Sequence, residues 1–245
     1  SRLEEIKKLL EKVMELIRRI AEELLRINEK VLEVLERIVR TILRLNEEHL
    51  KDVRDIARKL KLSDEILRRA EEIVKRSKEE LKRLLEEARE IVKKSKRKLE
   101  ELLKRIEEVV RDAKRKLDEN KDSDERTLLE ILKRILEELR KLIEELLRIH
   151  EESLRRIAKI LERILRLNDK SLRDLERIVR EAVRERNDDS TEIRKRLKEL
   201  RDKNEELKKK VEEMIRRLEE ESKKTKKRVE EILKRIEEEV REKAR

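Results

Sequence analysis

The chain of 245 residues contains no Gly, Pro, Cys or aromatic residue. Without Gly and Pro it lacks the residues that favour positive φ or break helices, so tight hairpins and glycine-rich phosphate-binding loops are not expected. Without Cys, disulfides, thiolate catalysis and most structural zinc sites are excluded. No stretch approaches the roughly 18 uncharged apolar residues of a membrane span. We therefore expect a soluble protein with no membrane partner, cytoplasmic when it is produced in a bacterial host.

The chain is instead rich in charge at helical spacing. Asp, Glu, Lys and Arg make up 56% of the residues, and the net charge is +11. Such composition can indicate disorder, so the spacing of the apolar residues is decisive. They recur every three or four residues along nearly the whole chain, for example at Leu99, Leu102, Ile106, Val109 and Ala113. This periodicity is typical of amphipathic helices and predicts an all-α fold.

Three interruptions divide the periodic pattern: KLSDE (61–65), NKDSDE (120–125) and RNDDSTE (186–192). Each offers Ser or Asp as a helix N-cap, and capping-box spacing occurs at Ser1–Glu4, Asp122–Glu125 and Asp189–Glu192. The pattern predicts helices at about 2–61, 64–120, 124–186 and 190–244. Because short turns force antiparallel neighbours, we expect one up-down-up-down four-helix bundle over 1–245, built from helical hairpins 1–121 and 124–245.

Two internal repeats refine this architecture. The segment IVKRSKEEL (73–81) returns as IVKKSKRKL (91–99). A step of eighteen residues over five turns matches the straight α-helix, so the bundle is predicted to be straight and nearly untwisted. Residues 21–50 also align without gaps on residues 143–172. The first and third helices are therefore variants of one element.

Each predicted helix carries two uncharged polar residues near the centre of its apolar face, eighteen residues apart. Folding the helices up and down places these residues at two heights, about 27 Å apart at 1.5 Å per residue. Further polar residues lie one turn beyond each height. The first polar layer comprises Asn28, Ser95, His150, Ser153, Ser222 and Thr225, and the second polar layer comprises Asn46, His49, Ser77, Asn168, Ser171 and Asn204.

Placement at common heights explains why polar residues occupy the apolar faces of the helices. A buried polar group without a partner costs about 1–3 kcal/mol. In register, the amides, hydroxyls and imidazoles can pair with one another, whereas a slipped bundle strands them in the apolar core. We therefore predict two buried hydrogen-bond networks that set the register of the helices.

The sequence is compatible with two oligomeric states. The apolar faces of the first and third helices span about 180°, and those of the second and fourth about 100–120°. In a monomer, which requires no partner, the two wide helices would touch across a rhombic section. Alternatively, the wide faces would pack on a second copy and form a homodimer of eight helices. The monomer is favoured because half of each wide helix is charged.

Enzymatic and metal-binding sites are not expected. His150 and Ser153 lie three residues apart, a spacing that would suit a base and a nucleophile, but a buried layer offers neither a substrate pocket nor an oxyanion hole. His49 belongs to the other layer. No Glu-x-x-His pair occurs at a core position, as four-helix di-metal sites require. We predict no catalytic residue, no metal and no cofactor.

Two further features leave room for other functions. The basic runs KKSKRK (93–98) and KKTKKR (223–228) would attract polyanions at low salt. Without aromatic residues or a groove-reading motif, no specific nucleic-acid binding is expected. If His49 or His150 is buried and neutral, acid will loosen the bundle below about pH 6.

The chain resembles de novo designed helical bundles with hydrogen-bond networks. The features that it shares with them are the absence of Gly and aromatic residues, apolar layers of Leu, Ile and Val, charged surfaces, eighteen-residue repeats and buried polar layers. It is similar in particular to helical-hairpin oligomer designs, here with two hairpins in one chain. Its turns differ, because they lack the Gly or Pro common in such designs. The resemblance implies a structural scaffold or self-assembling bundle with no natural cellular function. The alternatives are a heteromeric binding module, in which a partner helix replaces the fourth helix, and a pH-responsive switch.

Overall fold

The computed structural model describes residues 2–186 and 191–244. Four long helices make up almost all of this part: α1 (Arg2–Lys59), α2 (Asp64–Glu119), α3 (Glu125–Glu185) and α4 (Thr191–Ala244). No strand occurs in the described ranges. The protein is an all-α four-helix bundle, which confirms the predicted fold class. Each helix begins and ends within two residues of its predicted bounds, although the predicted start of the fourth helix, 190, lies outside the described residues.

The turn after α1 forms without glycine. The Leu62 N–H donates to the Ala57 carbonyl (2.9 Å) and the Lys61 N–H to the Arg58 carbonyl (3.4 Å). These are the two hydrogen bonds of a Schellman motif, which requires a left-handed residue at the position of Lys61. Lys61 has a φ of 51°. Its side chain makes this conformation less favourable than it would be for glycine. The Arg186 Nη2 donates to the Lys61 carbonyl (2.7 Å) and supports the turn.

Asp124 caps the N-terminus of α3. Its Oδ1 accepts hydrogen bonds from the Thr127 backbone N–H (2.9 Å) and the Thr127 hydroxyl. These bonds to the charged carboxylate lower the pKa of Asp124. The expected Asp122–Glu125 capping box is wrong, because α3 begins at Glu125, so Asp124 occupies the N-cap and Thr127 the third helical position. Ser1 and Asp189 of the other two expected boxes lie outside the described residues.

The helices contribute to two compact units. Unit 1 comprises Ser1–Lys30, Ile91–Arg155 and Leu218–Arg245, and unit 2 comprises Val31–Glu90 and Arg156–Arg217. Each unit takes segments from all four helices. The division therefore crosses the helices and does not follow the predicted hairpin halves 1–121 and 124–245.

Each unit has a core of aliphatic side chains. In unit 1, Leu10 and Leu24 of α1, Leu99 of α2 and Leu146 of α3 are fully buried. The core of unit 2 contains buried residues of the same kind, including Leu35, Ile42, Leu81 and Ile164. In the described part of the chain, no large hydrophobic side chain is exposed, and no helix is long and apolar enough to cross a membrane.

Ion pairs between neighbouring helices reveal a constant antiparallel register within each unit. As residue numbers rise along α1, the numbers of the paired residues fall by equal steps along the partner helix. In unit 1, α1 pairs with α2 at Lys7–Asp118, Glu11–Lys114 and Arg18–Glu107. In unit 2, α1 pairs with α4 at Glu48–Lys203, Asp55–Arg196 and Lys59–Glu192. Such exposed pairs contribute only about 0–1 kcal/mol each. They mark the register more than they stabilise it.

Candidate functional site

The first polar layer lies in unit 1, and among the described residues one hydrogen bond joins two of its own members across helices. The Asn28 Nδ2 on α1 donates to the Ser95 Oγ on α2 at 3.1 Å. Both side chains are buried. The Asn28 Oδ1 is also buried, and it has no partner among the described residues. The two residues are joined as the layer prediction requires, but the amide uses only part of its hydrogen-bonding capacity.

His150 and Ser153 do not join a network. His150 is 1% exposed and Ser153 is 4% exposed. In the described ranges, neither ring nitrogen of His150 nor the Ser153 Oγ has a hydrogen-bond partner. The expectation that these residues are network members is therefore wrong. Two other hydroxyls of the layer are engaged elsewhere: Ser95 accepts from Asn28, and Thr225 donates to the backbone of its own helix.

Ser222 and Thr225 occupy α4 at the edge of this layer. Ser222 is only half-buried, so its predicted place in the buried network is wrong. Thr225 is buried, and its hydroxyl donates to the Glu221 carbonyl at 3.0 Å. The same hydroxyl lies 3.5 Å from the Glu23 Oε1 on α1, and Arg228 donates to both oxygens of that carboxylate. Glu23 therefore replaces the expected uncharged partners in linking α4 to α1.

The second polar layer lies in unit 2 and joins helices two at a time. The Asn46 Nδ2 on α1 donates to the Ser77 Oγ on α2 at 3.2 Å. The Asn168 Nδ2 on α3 donates to the Asn204 Oδ1 on α4. The Asn204 Nδ2 in turn donates to the Asp169 Oδ1 at 3.0 Å. The structure brings these amides and hydroxyls together in an α1–α2 pair and an α3–α4 group.

His49 and Ser171 are both buried in the second layer, at 5% and 6% exposure. The His49 Nδ1 lies 2.8 Å from the carbonyl oxygen of Leu45 on the same helix. Because a carbonyl can only accept, the neutral ring carries its proton on Nδ1. The His49 Nε2 is buried without a partner in the described part of the chain. His49 thus bonds its own helix and links no second helix.

Sequence reasoning missed Glu176, which is 8% exposed. Its carboxylate on α3 accepts two hydrogen bonds from Arg201 on α4, at 2.8 and 3.2 Å, and lies 3.9 Å from the Arg180 Nη2. In the sequence it resembles any surface glutamate. The available signal was its flanking by apolar Leu172 four residues before and Val179 three residues after, which places it at the edge of the buried face.

Burial dominates the electrostatics of both histidines. It lowers the pKa of His150 to about 4, and the negative charge of Glu151 opposes this only weakly. Burial also lowers the pKa of His49, against the hydrogen bond to Leu45 and the charges of Asp52 and Glu176. Both imidazoles are therefore neutral near pH 7.

The geometry offers hydrogen bonding between helices and little other chemistry. His150 and Ser153 are enclosed and make no hydrogen bond to each other, so Ser153 is not activated as a nucleophile. In the described part of the chain, no group of three or more His, Asp or Glu side chains is arranged to hold a metal ion. What the layers do provide is three buried side-chain contacts that each join two helices.

Comparisons with protein-family models, with curated proteins and with solved structures found no match to this chain.

Proposed function

We propose that the chain is an artificial structural scaffold, in which buried polar pairs hold four long helices in a single register. On this proposal the protein has no enzymatic activity and no natural cellular task. The observation that carries the proposal is the buried hydrogen bond between Asn46 and Ser77 in unit 2. It has counterparts in Asn168–Asn204 of the same unit and in Asn28–Ser95 of unit 1.

A slip in register would break these buried pairs. Sliding α2 by seven residues, or two turns, against α1 in unit 2 would separate Asn46 from Ser77 while both stayed among apolar side chains. Each buried group left without a partner costs about 1–3 kcal/mol. Exposed ion pairs such as Glu36–Arg89, which lie at 3.3 Å in the same unit, re-form readily with other charges and contribute about 0–1 kcal/mol. The buried pairs therefore dominate the choice of register.

Crosslinking of introduced cysteine pairs with a short bifunctional thiol reagent tests this directly, because the chain has no native cysteine. Cysteines at positions 36 and 89 report the native register of α1 and α2, and cysteines at 36 and 82 report a slip of seven residues. We expect only the first pair to crosslink in the parent chain. In an Asn46→Leu, Ser77→Ala variant, we expect the slipped pair to crosslink as well. If this variant keeps the parent crosslinking pattern, register does not depend on the buried pair.

The proposal favours a monomer over the eight-helix homodimer. The flanks of the wide faces are covered to a large extent within each unit: Ile27 and Ile160 are buried, and Val34 and Leu167 are half-buried. Little apolar surface is left for a second copy. Size-exclusion chromatography with light scattering should give a particle of 30.1 kDa. A particle of about 60 kDa would favour self-assembly through the wide faces of α1 and α3.

A pH-responsive bundle is the second candidate, and His150 is the observation that favours it. Its ring is enclosed, and neither nitrogen has a partner in the described ranges. The charged group that acts on it is Glu151, which pairs with Lys226 of α4. Protonation would place an unpaired cation in the core of unit 1. Melting temperatures that are equal at pH 7.5 and pH 4.5 would count against this candidate.

A heteromeric binding module is the third candidate. Between Val211 and Thr225, no residue of α4 is buried: Met214, Ile215 and Leu218 are only half-buried. A weakly packed helix is the one that a partner helix would replace most easily. A labelled peptide of residues 191–244 that exchanges into the intact chain would support this candidate. If the label stays free, the scaffold is favoured.

A further inference from the structure

Residues 93–98 of α2 form an exposed, strongly basic surface in unit 1. This α2 basic patch consists of Lys93, Lys94, Lys96, Arg97 and Lys98, and all five side chains are exposed. Ser95, at the centre of the run, is buried against Asn28. Because Ser95 faces the core, the outer side of these turns is left entirely to cations.

The carboxylates of the described residues leave the five cations unengaged, apart from a charge effect between Lys98 and Glu145. Within the described ranges, none of them makes a hydrogen bond or an ion pair. The basic run on α4 differs, because Lys226 pairs with Glu151 (3.5 Å) and Arg228 with Glu23 (3.0 Å). The nearby carboxylate of Glu145 is engaged by Arg148, whose hydrogen bond is the main cause of its lowered pKa, and Lys98 contributes only a weaker charge effect. The α2 basic patch therefore keeps its positive charge for an external anion.

We propose that the α2 basic patch binds the phosphate backbone of double-stranded nucleic acid without sequence preference at low ionic strength. Six helical residues cover about 9 Å. Duplex DNA carries one negative charge per roughly 1.7 Å of helix axis when both strands are counted, so about five phosphates of the two strands lie along the same length. The chain has no aromatic residue on which single-stranded bases could stack. Exposed cations on a helix surface contact phosphates, and phosphate contacts carry no sequence information. This binding is independent of the scaffold function.

The structure also sets the expected salt dependence. Lys98 lies towards Glu145 of α3, which leaves four cations for the duplex. Four phosphate contacts give a slope of about −3.6 for log K against log salt concentration. The affinity should therefore fall on the order of a hundredfold between 50 and 200 mM salt.

Fluorescence anisotropy with a labelled 20-base-pair duplex in 25–200 mM salt tests the proposal. The patch variant carries Lys93→Gln, Lys94→Gln, Lys96→Gln and Arg97→Gln. The matched control loses the same number of charges at exposed, unpaired positions of α2 in unit 2: Arg69→Gln, Lys75→Gln, Lys78→Gln and Lys82→Gln. Circular dichroism establishes that both variants keep the helicity of the parent.

We expect the parent to bind with the stated slope, the patch variant to lose at least tenfold in affinity at 50 mM salt, and the control to lose less than threefold. Equal losses in the two variants would assign the binding to net charge and overturn the proposal. An absence of binding at 25 mM salt would overturn it as well. If a sulfated polysaccharide displaces the duplex at a tenfold lower concentration of charge, the patch prefers a different polyanion and the proposal is overturned.

Discussion

Replacing His150 by leucine should stabilise the protein, and should do so more strongly in acid. Two effects combine. At pH 7.5 the substitution removes a buried imidazole without a partner, and removal of an unsatisfied buried polar group recovers about 1–3 kcal/mol. Leucine is similar in size and suits the surrounding aliphatic core of unit 1.

The acid effect follows from the pKa of His150. The folded chain holds this pKa at about 4, against an ordinary value of 6.5. Between these pH values the unfolded state binds more protons than the folded state, so the free energy of unfolding decreases as the pH falls. The contribution of neutral His150 is complete above about pH 6.5 and is lost as the pH falls to about 4. Because one pKa unit corresponds to 1.36 kcal/mol, the loss amounts to about 3 kcal/mol.

Guanidine unfolding followed by circular dichroism, at pH 7.5, 6.0, 5.0 and 4.0, measures both effects. The parent and the His150→Leu variant are compared at each pH, because the carboxylates that titrate in this range are common to both chains. We expect the variant to be more stable at pH 7.5, and the difference to grow by about 3 kcal/mol by pH 4. An NMR titration of the ring protons gives the folded pKa independently.

Two results would refute this reasoning. A variant that is less stable than the parent at pH 7.5 would mean that His150 makes favourable hydrogen bonds. A difference in unfolding free energy that stays constant with pH would mean that the folded pKa is close to 6.5 and that the ring is accessible to solvent.

Three further predictions concern other parts of the chain. The Asn46→Ala variant should lose about 1–3 kcal/mol of unfolding free energy in denaturant, because it leaves the Ser77 hydroxyl unpaired. The double variant with Ser77→Ala should recover part of that loss. If the effects of the two substitutions are purely additive, the two side chains do not interact. The Lys61→Gly variant should gain about 1 kcal/mol of unfolding free energy, because the φ of 51° at residue 61 favours glycine. An unchanged melting temperature would argue against the left-handed turn. The Arg201→Ala variant should lose about 1–3 kcal/mol of unfolding free energy, because it leaves the buried carboxylate of Glu176 without its main partner, whereas Glu176→Ala leaves only an exposed guanidinium and should cost less. An Arg201→Ala variant as stable as the parent would show that Glu176 is solvated.

The fold was predictable because its determinants are local and repeated. Apolar spacing specifies helices, the three polar interruptions specify turns, and the shortness of these turns specifies antiparallel neighbours. The heights of Asn46 and Ser77 follow from the position of the first turn and the rise of the helix. The same counting places Asn168 beside Asn204.

The details that were not predictable depend on distances between helices or on where a turn begins. Whether His150 reaches a partner depends on the distance and angle to groups on other helices, because N–H···O hydrogen bonds need about 2.7–3.2 Å and a nearly linear geometry. The burial of Glu176 depends on how closely Arg201 covers it. The choice of Asp124 over Asp122 as the cap of α3 depends on where the turn begins. None of these quantities is contained in residue spacing.

Hydrogen exchange of asparagine side-chain amides tests the central claim most directly. The chain has six asparagines and no glutamine, so the side-chain amide region of an NMR spectrum is simple. Asn46, whose amide is buried and donates to Ser77 of another helix, should exchange orders of magnitude more slowly than Asn120, whose exposed amide bonds its own helix. If Asn46 exchanges as fast as Asn120, the buried pairs do not hold the helices in register.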